Sequence, residues 1–234
     1  MRLSLFFSLL ILFVYSANCQ QIDYNNLFGD DWKNAEIFLS ENQSAIKEKL
    51  SQHQIDYDLA MAIVFPELVR FNGLRDKMET ALLKSLYVNY GKTYANFSIG
   101  QLQMKPSFAE QLSAALCQTS ISNYKSLIAD SSKYEEEWEF RQAIVKDLEN
   151  FQTQLNYLIV FIKICESRFS FKKTNDDQLV RFMATAYNAG FNNSVKKIWM
   201  MSKKKFYSPK LFSTEHYAYA DVAAFWYKQH HVSK

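Results

Sequence analysis

The chain has 234 residues and a formal net charge of +3, which falls by one if Arg2 is left out. That length allows one large or two small domains, and a charge so close to balance gives no electrostatic case for nucleic acid. The four histidines (His53, His216, His230, His231) lack metal-ligand spacing, and there is no CxxC or Cys/His cluster, so no metal site is expected.

The N-terminus opens with Met1-Arg2, continues through an apolar run from Leu3 to Tyr15, and ends in the smaller Ser16-Ala17-Asn18-Cys19. A short basic start, an apolar core and a small-residue end describe a signal peptide over residues 1–19, hence export to the periplasm or cell envelope. Cleavage after Cys19 leaves Ala17 and Cys19 at the small-residue positions; the alternative is lipidation of Cys19, which would anchor the mature protein to a membrane. Past the signal, Cys117 and Cys165 remain; they either form one disulfide or stay as two buried thiols.

With five glycines and three prolines, the chain has no linker, repeat or low-complexity tract, and helical periodicity dominates. Residues 33–52 read as an amphipathic helix with Ala35, Ile37, Phe38, Ile46 and Leu50 on one side. Asp56 or Asp58 can cap the next helix, whose apolar face includes Leu59, Ile63 and Val64. A helix over 74–90 stops at Gly91, and another runs from Ser107, after Pro106, to Cys117. The longest element is expected from Ser132 to Phe169; it starts on Glu135-Glu136-Glu137, which suits a helix N-terminus. Its later part, Leu155 to Ile164, is apolar apart from Asn156 and Lys163 and should cross the centre of the core. Helices over 176–189, 192–201 and 213–230 complete the set, and no period-2 strands stand out. The lysine run 203–205 reads as a solvated loop. The expected fold is a single all-α domain wrapped around the helix that ends in the 150s to 160s. Sixteen per cent aromatic residues is high; most are expected in the core, and a surplus would suit a groove that stacks on sugar faces.

One stretch contains a local conflict. In Ala62-Ile-Val-Phe-Pro-Glu67 a carboxylate follows a proline inside an apolar run. A proline in a helix interior costs about 3 kcal/mol, and a buried carboxylate costs several more unless it is paired or protonated. Two unfavourable choices side by side mark the end of an element or a working site; otherwise Glu67 is an exposed helix residue paired with Arg70. Two further segments read together with it, Phe97-Ser-Ile-Gly-Gln-Leu-Gln-Met-Lys-Pro-Ser-Phe108 and Ala184-Thr-Ala-Tyr-Asn-Ala-Gly190. In this order the three resemble the lytic transglycosylases of the soluble, goose-lysozyme-like type. Members of that family show an apolar helix ending in a catalytic Glu, then a Gly-Leu-Met-Gln-like segment closing in Pro-Ser, then Ala-Tyr-Asn-Ala-Gly. The third segment matches fully at Ala186 to Gly190, and the second keeps Gly100 and Gln103. Leu68 stands where the family usually has Ser, and the gap from Glu67 to Gly100 is longer than the family's usual one.

The resemblance implies a lysozyme-like helical domain over 55–234 with a long central helix, preceded by a helical extension over 20–54. It implies cleavage of MurNAc-β-1,4-GlcNAc bonds in peptidoglycan strands without a cofactor. Glu67 would protonate the bridging oxygen and later act as base, while the muramyl C6 hydroxyl attacks the anomeric carbon and closes a 1,6-anhydro ring. Such an acid needs a raised pKa, which apolar surroundings provide; Phe65, Leu68, Val69 and Phe71 are the sequence's candidates. Ser98, Gly100, Gln103 and Met104 match the segment lining the groove, with Gly100 allowing close backbone approach to the glycan. Tyr187 matches a tyrosine that hydrogen-bonds near the acid and could orient Glu67, and Asn188 matches a polar residue at the same place. Met104 is otherwise core, and Asn188 otherwise a helix cap. The alternatives are a lysozyme-type hydrolase on the same bond, with Asp76 or Glu79 as second carboxylate, and a catalytically dead glycan-binding or scaffold protein on the same fold.

Overall fold

The computed structural model describes residues 22–71, 73–119, 121–209 and 214–231, and of 73–80 the backbone alone; residues 1–19, expected to be a signal peptide, lie outside the described residues. Asp23 starts the first helix, α1 (Tyr24–Phe28), by accepting from the backbone N–H of Asn25 and Asn26. Gly29, at φ +53°, turns the chain into α2 (Asp30–Ser51), whose first turn carries Asp30 and Asp31 toward the positive end of the helix dipole. Asp56 caps α3 (Tyr57–Arg70), its carboxylate 2.8 Å from the Leu59 N–H. Next come α4 (Gly73–Tyr90), closed at Gly91 with φ +82°, and α5 (Pro106–Leu116), which begins with proline where no N–H is needed.

The element expected from Ser132 to Phe169 is two helices. A short 3-10 turn at Ser131–Lys133 precedes α6 (Glu137–Leu148), and α7 (Phe151–Arg168) starts afresh. Asn150 makes the break. Its side chain accepts from the N–H groups of Gln152 and Thr153, offering the backbone a cap instead of continuation. Then follow α8 (Asp176–Ala189), with an Asn175/Gln178 capping box, and α9 (Val195–Met201). Two short strands, β1 (Lys205–Tyr207) and β2 (Tyr217–Ala218), pair antiparallel before α10 (Tyr219–His230). The strands are too short to show an alternating pattern; β1 begins on the last lysine of the run expected as a loop, and β2 occupies part of what reads in sequence as a helix over 213–230.

The described residues are thus mainly α-helical, and their buried apolar side chains form one cluster. α7 crosses it, with every residue from Tyr157 to Ile162 buried. α3 is enclosed as completely, from Ala60 to Val69, by α2, α8 and α10, so the core has two central helices rather than one. The N-terminal helices share this core: Trp32 of α2 meets Phe65 edge-on with ring centroids 4.6 Å apart, and Trp226 of α10 stacks on the same Phe65 at 5.1 Å. Helices α5 and α6 pack on each other and on α7, α4 packs on α6, and α7 also touches α8. Cys117 is exposed and Cys165 buried, and both are free thiols. No helix among the described residues is long and apolar enough to cross a membrane.

Candidate functional site

The end of α3 is built to hold a carboxylate out of water. Pro66 has no N–H to give to the Ala62 carbonyl, so the helical ladder weakens one turn before it ends. Two tyrosines from the far end of the chain brace this turn. The Tyr207 hydroxyl donates to the Pro66 carbonyl at 2.7 Å, and the Tyr219 hydroxyl donates to the Ile63 carbonyl at 3.0 Å. Phe71 then adopts an extended conformation and its N–H returns to the Glu67 carbonyl at 2.9 Å.

Glu67 is 3% exposed. Its Oε2 lies 2.6 Å from Nη2 of Arg70, one turn on, whose side chain is 32% exposed and whose guanidinium also sits 5.9 Å over the Tyr207 ring. The Arg70 partner expected for an exposed glutamate is therefore present, but on a buried one. Burial pushes the Glu67 carboxyl up; Arg70, Lys105 and a hydrogen bond with Tyr219 pull it down, and the net direction is upward. The groups nearest in charge are not the apolar neighbours in sequence. Phe65 points away, between Trp32 and Trp226. Tyr187, Tyr207 and Tyr219 surround the carboxylate instead, and their own hydroxyls are raised well above the ordinary tyrosine value, by burial first and by Glu67 second.

The segment before α5 forms a tight loop. Ile99 and Met104 pair across it, exchanging N–H···O bonds of 2.9 and 3.1 Å, and Gly100 and Gln103 both take positive φ, +67° and +47°. Gln154, fully buried on α7, fixes this loop. Its Oε1 accepts from the Leu102 N–H at 3.0 Å, and its Nε2 donates to the carbonyls of Ile99 at 2.6 Å and Leu148 at 2.9 Å. Gly100 serves that contact, not a glycan: a methyl group there would overlap Gln154 and come within 2.7 Å of the Leu148 carbonyl oxygen. The Tyr187 hydroxyl likewise donates to the Leu102 carbonyl at 2.8 Å, so Tyr187 positions the loop rather than Glu67.

These pieces border one groove of about 310 Å³. Glu67 and Arg70 form one wall. Ser98, Gln103 and Met104 form a second, and Tyr187, Asn188 and Gly190, at the end of α8, a third. Asn96, Lys105, Ser107, Phe108 and Gln111 complete the rim. Of the residues singled out in sequence, the groove gathers all but Gly100. Met104 contributes floor, being buried, while Asn188 is exposed within α8, and the helix end is served by Asn193, whose Nδ2 donates to the Ala189 carbonyl at 2.8 Å. Asp76 and Glu79 lie in α4 where side chains are outside the described residues. Sequence reasoning missed Gln154, Tyr207, Tyr219 and Lys105. Only Gln154 carried a signal, a polar residue at the head of an apolar run.

The arrangement offers a buried carboxyl group facing a polar, open groove with amide and hydroxyl groups spaced around it. Comparison with protein-family models, with curated proteins and with solved structures finds no match for this chain.

Proposed function

We propose that this protein is an exported peptidoglycan lytic transglycosylase with Glu67 as its general acid and base. The observation that carries the reading is a raised, buried carboxyl group at the mouth of a groove shared by three separate segments, all three of which resemble that family. A protonated Glu67 gives its proton to the bridging oxygen as the bond from the muramyl C1 to that oxygen breaks. The muramyl C6 hydroxyl oxygen then bonds to C1, and its proton returns to Glu67. No water is consumed and the acid is regenerated. Ser98, Gln103 and Asn188 offer donors and acceptors for hydroxyl and acetamido groups. Met104 and Tyr187 supply the adjoining floor and wall.

Muropeptide release from purified sacculi is the test. Wild-type protein is expected to release soluble fragments, and Glu67→Gln to release at least about 100-fold less, the scale of lost acid catalysis. Undiminished release by Glu67→Gln would remove Glu67 from the role of acid.

A second reading is favoured by one observation, the 2.6 Å pair with Arg70. A guanidinium holds a carboxylate in its charged form, which suits a glycan-binding module that no longer cuts. That reading expects saturable binding of glycan strands with no release by either protein.

A further inference from the structure

The pairing of Glu67 with Arg70 sets two requirements against each other. A general acid must carry a proton, yet a guanidinium at 2.6 Å favours the bare carboxylate. The charge around the groove suggests how the conflict is resolved. Among its described lining residues there are two cations, Arg70 and Lys105, and one anion, Glu67. Lys105 is exposed at the mouth and forms no ion pair among the described residues, while Arg70 is partly open to the groove. Among the described residues, the free space therefore carries one more positive than negative charge beside an acid whose own partner is accessible from outside.

We propose that Arg70 and Lys105 form a carboxylate-binding subsite, and that a carboxylate carried by the substrate draws the Arg70 guanidinium away from Glu67 and so frees the acid to carry its proton. The inference rests on the glycan-cleaving reading of this groove. It makes a carboxylate-bearing saccharide the substrate class and Arg70 a positioning residue that works through Glu67. The direction follows from the charges. Sharing Arg70 with a second anion weakens its pull on Glu67, and the anion's own charge opposes ionisation of Glu67 further; both favour the protonated acid. Among the described residues, the other titratable groups facing Glu67 are Tyr187 from α8, Tyr207 from β1 and Tyr219 from α10, none of which changes charge near neutral pH. In the resting site the Arg70 pair thus offsets part of the rise that burial gives the acid, and neutral sugars leave that offset in place.

The carboxylate has two chemical sources in a glycan strand, the lactyl group where no peptide is attached and the peptide stem where one is, and three small probes separate them. N-acetylmuramic acid bears a free lactyl carboxylate. Muramyl dipeptide has that group amidated and carries its acid on the peptide. N-acetylglucosamine has neither. The measurement is the titration midpoint of the Glu67 carboxyl carbon by NMR in glutamate-labelled protein, the resonance being assigned by its loss in Glu67→Gln. At saturating probe, one or both acids should raise the midpoint by roughly one unit, and N-acetylglucosamine should not; whichever acid acts names the source. In Arg70→Met the midpoint should start higher and respond less. Lys105→Ala, at an exposed position that leaves the fold intact, should weaken binding of the effective acid severalfold. An unmoved midpoint with all three probes, or a rise of equal size in Arg70→Met and wild type, would overturn the proposal. Digestion of sacculi by the same preparations keeps the two claims apart. Products with an unmoved midpoint would refute the subsite and leave the transglycosylase reading, whereas a moved midpoint without products would do the reverse.

Discussion

Glu67 and Gly100 show how single residues set this site. Burial holds the Glu67 carboxyl above its ordinary value against the pull of Arg70, Lys105 and Tyr219. A raised acid stays protonated, and so competent, until the pH climbs through its shifted value; the alkaline limb of the activity profile should therefore fall above the ordinary glutamate value of 4.5. Arg70→Met removes the paired cation that favours the anion, so the limb should move further up, and a limb that moves down in that variant would contradict the assignment. Gly100 carries a different load. At φ +67° and with Gln154 and the Leu148 carbonyl against it, it has no room for a side chain. Gly100→Ala should cost about 2–4 kcal/mol in denaturant unfolding, combining left-handed strain with overpacking.

At the scale of elements, the loop over 99–104 is only as good as its anchor on α7. Gln154→Ala leaves the Leu102 N–H without its buried partner, while the Ile99 carbonyl keeps only the Met104 N–H, and an unsatisfied buried group costs about 1–3 kcal/mol. The loss should appear as lower stability and as faster hydrogen exchange at Leu102, with α3 unaffected; unchanged exchange would mean that the loop holds itself. What sequence made legible follows the range of the forces involved. Local signals marked the caps at Asp56 and Gly91, the proline start of α5 and the conflict at Pro66-Glu67, because each is satisfied within a few residues. Asn150 was also a local signal, but helix formers on both sides hid it and merged α6 with α7. Tyr207 and Tyr219 were invisible for another reason. They reach the last turn of α3 from more than a hundred residues away, and nothing in their own neighbourhoods hints at that destination. The same holds for Arg70, whose position beside Glu67 was legible while the burial that gives the pair its meaning was not.

Over the whole molecule, the C-terminal helix closes the core against α2 and α3. Trp226 stacks on Phe65 and donates from Nε1 to Glu36 at 2.8 Å, and His230, stacked on Trp226, faces the same Glu36 at 3.4 Å. Burial disfavours the charged His230 ring, but the Glu36 carboxylate and the Trp226 carbonyl outweigh it, so the ring sits above its ordinary 6.5. A raised histidine adds stability that is complete below the unfolded value and is lost as the pH rises through the folded one. With the pair partly exposed, the effect is modest: the thermal midpoint should drop by about 1–2 °C between pH 6 and 8 through this group. Glu36→Gln keeps an acceptor for Trp226 and should remove that dependence; a slope unchanged in the variant would show that other groups govern it. The groove lies where α3 and α8 meet the loop pinned by α7, so the same packing that completes the core also places Glu67. The most direct test of that placement is mass spectrometry of the soluble products from peptidoglycan digested by the purified protein beside Glu67→Gln. The account requires 1,6-anhydromuropeptides from the wild type and none from the variant. Reducing-end products would instead make the protein a lysozyme-type hydrolase and turn attention to Asp76 and Glu79, and no products from either protein would contradict catalysis at Glu67 altogether.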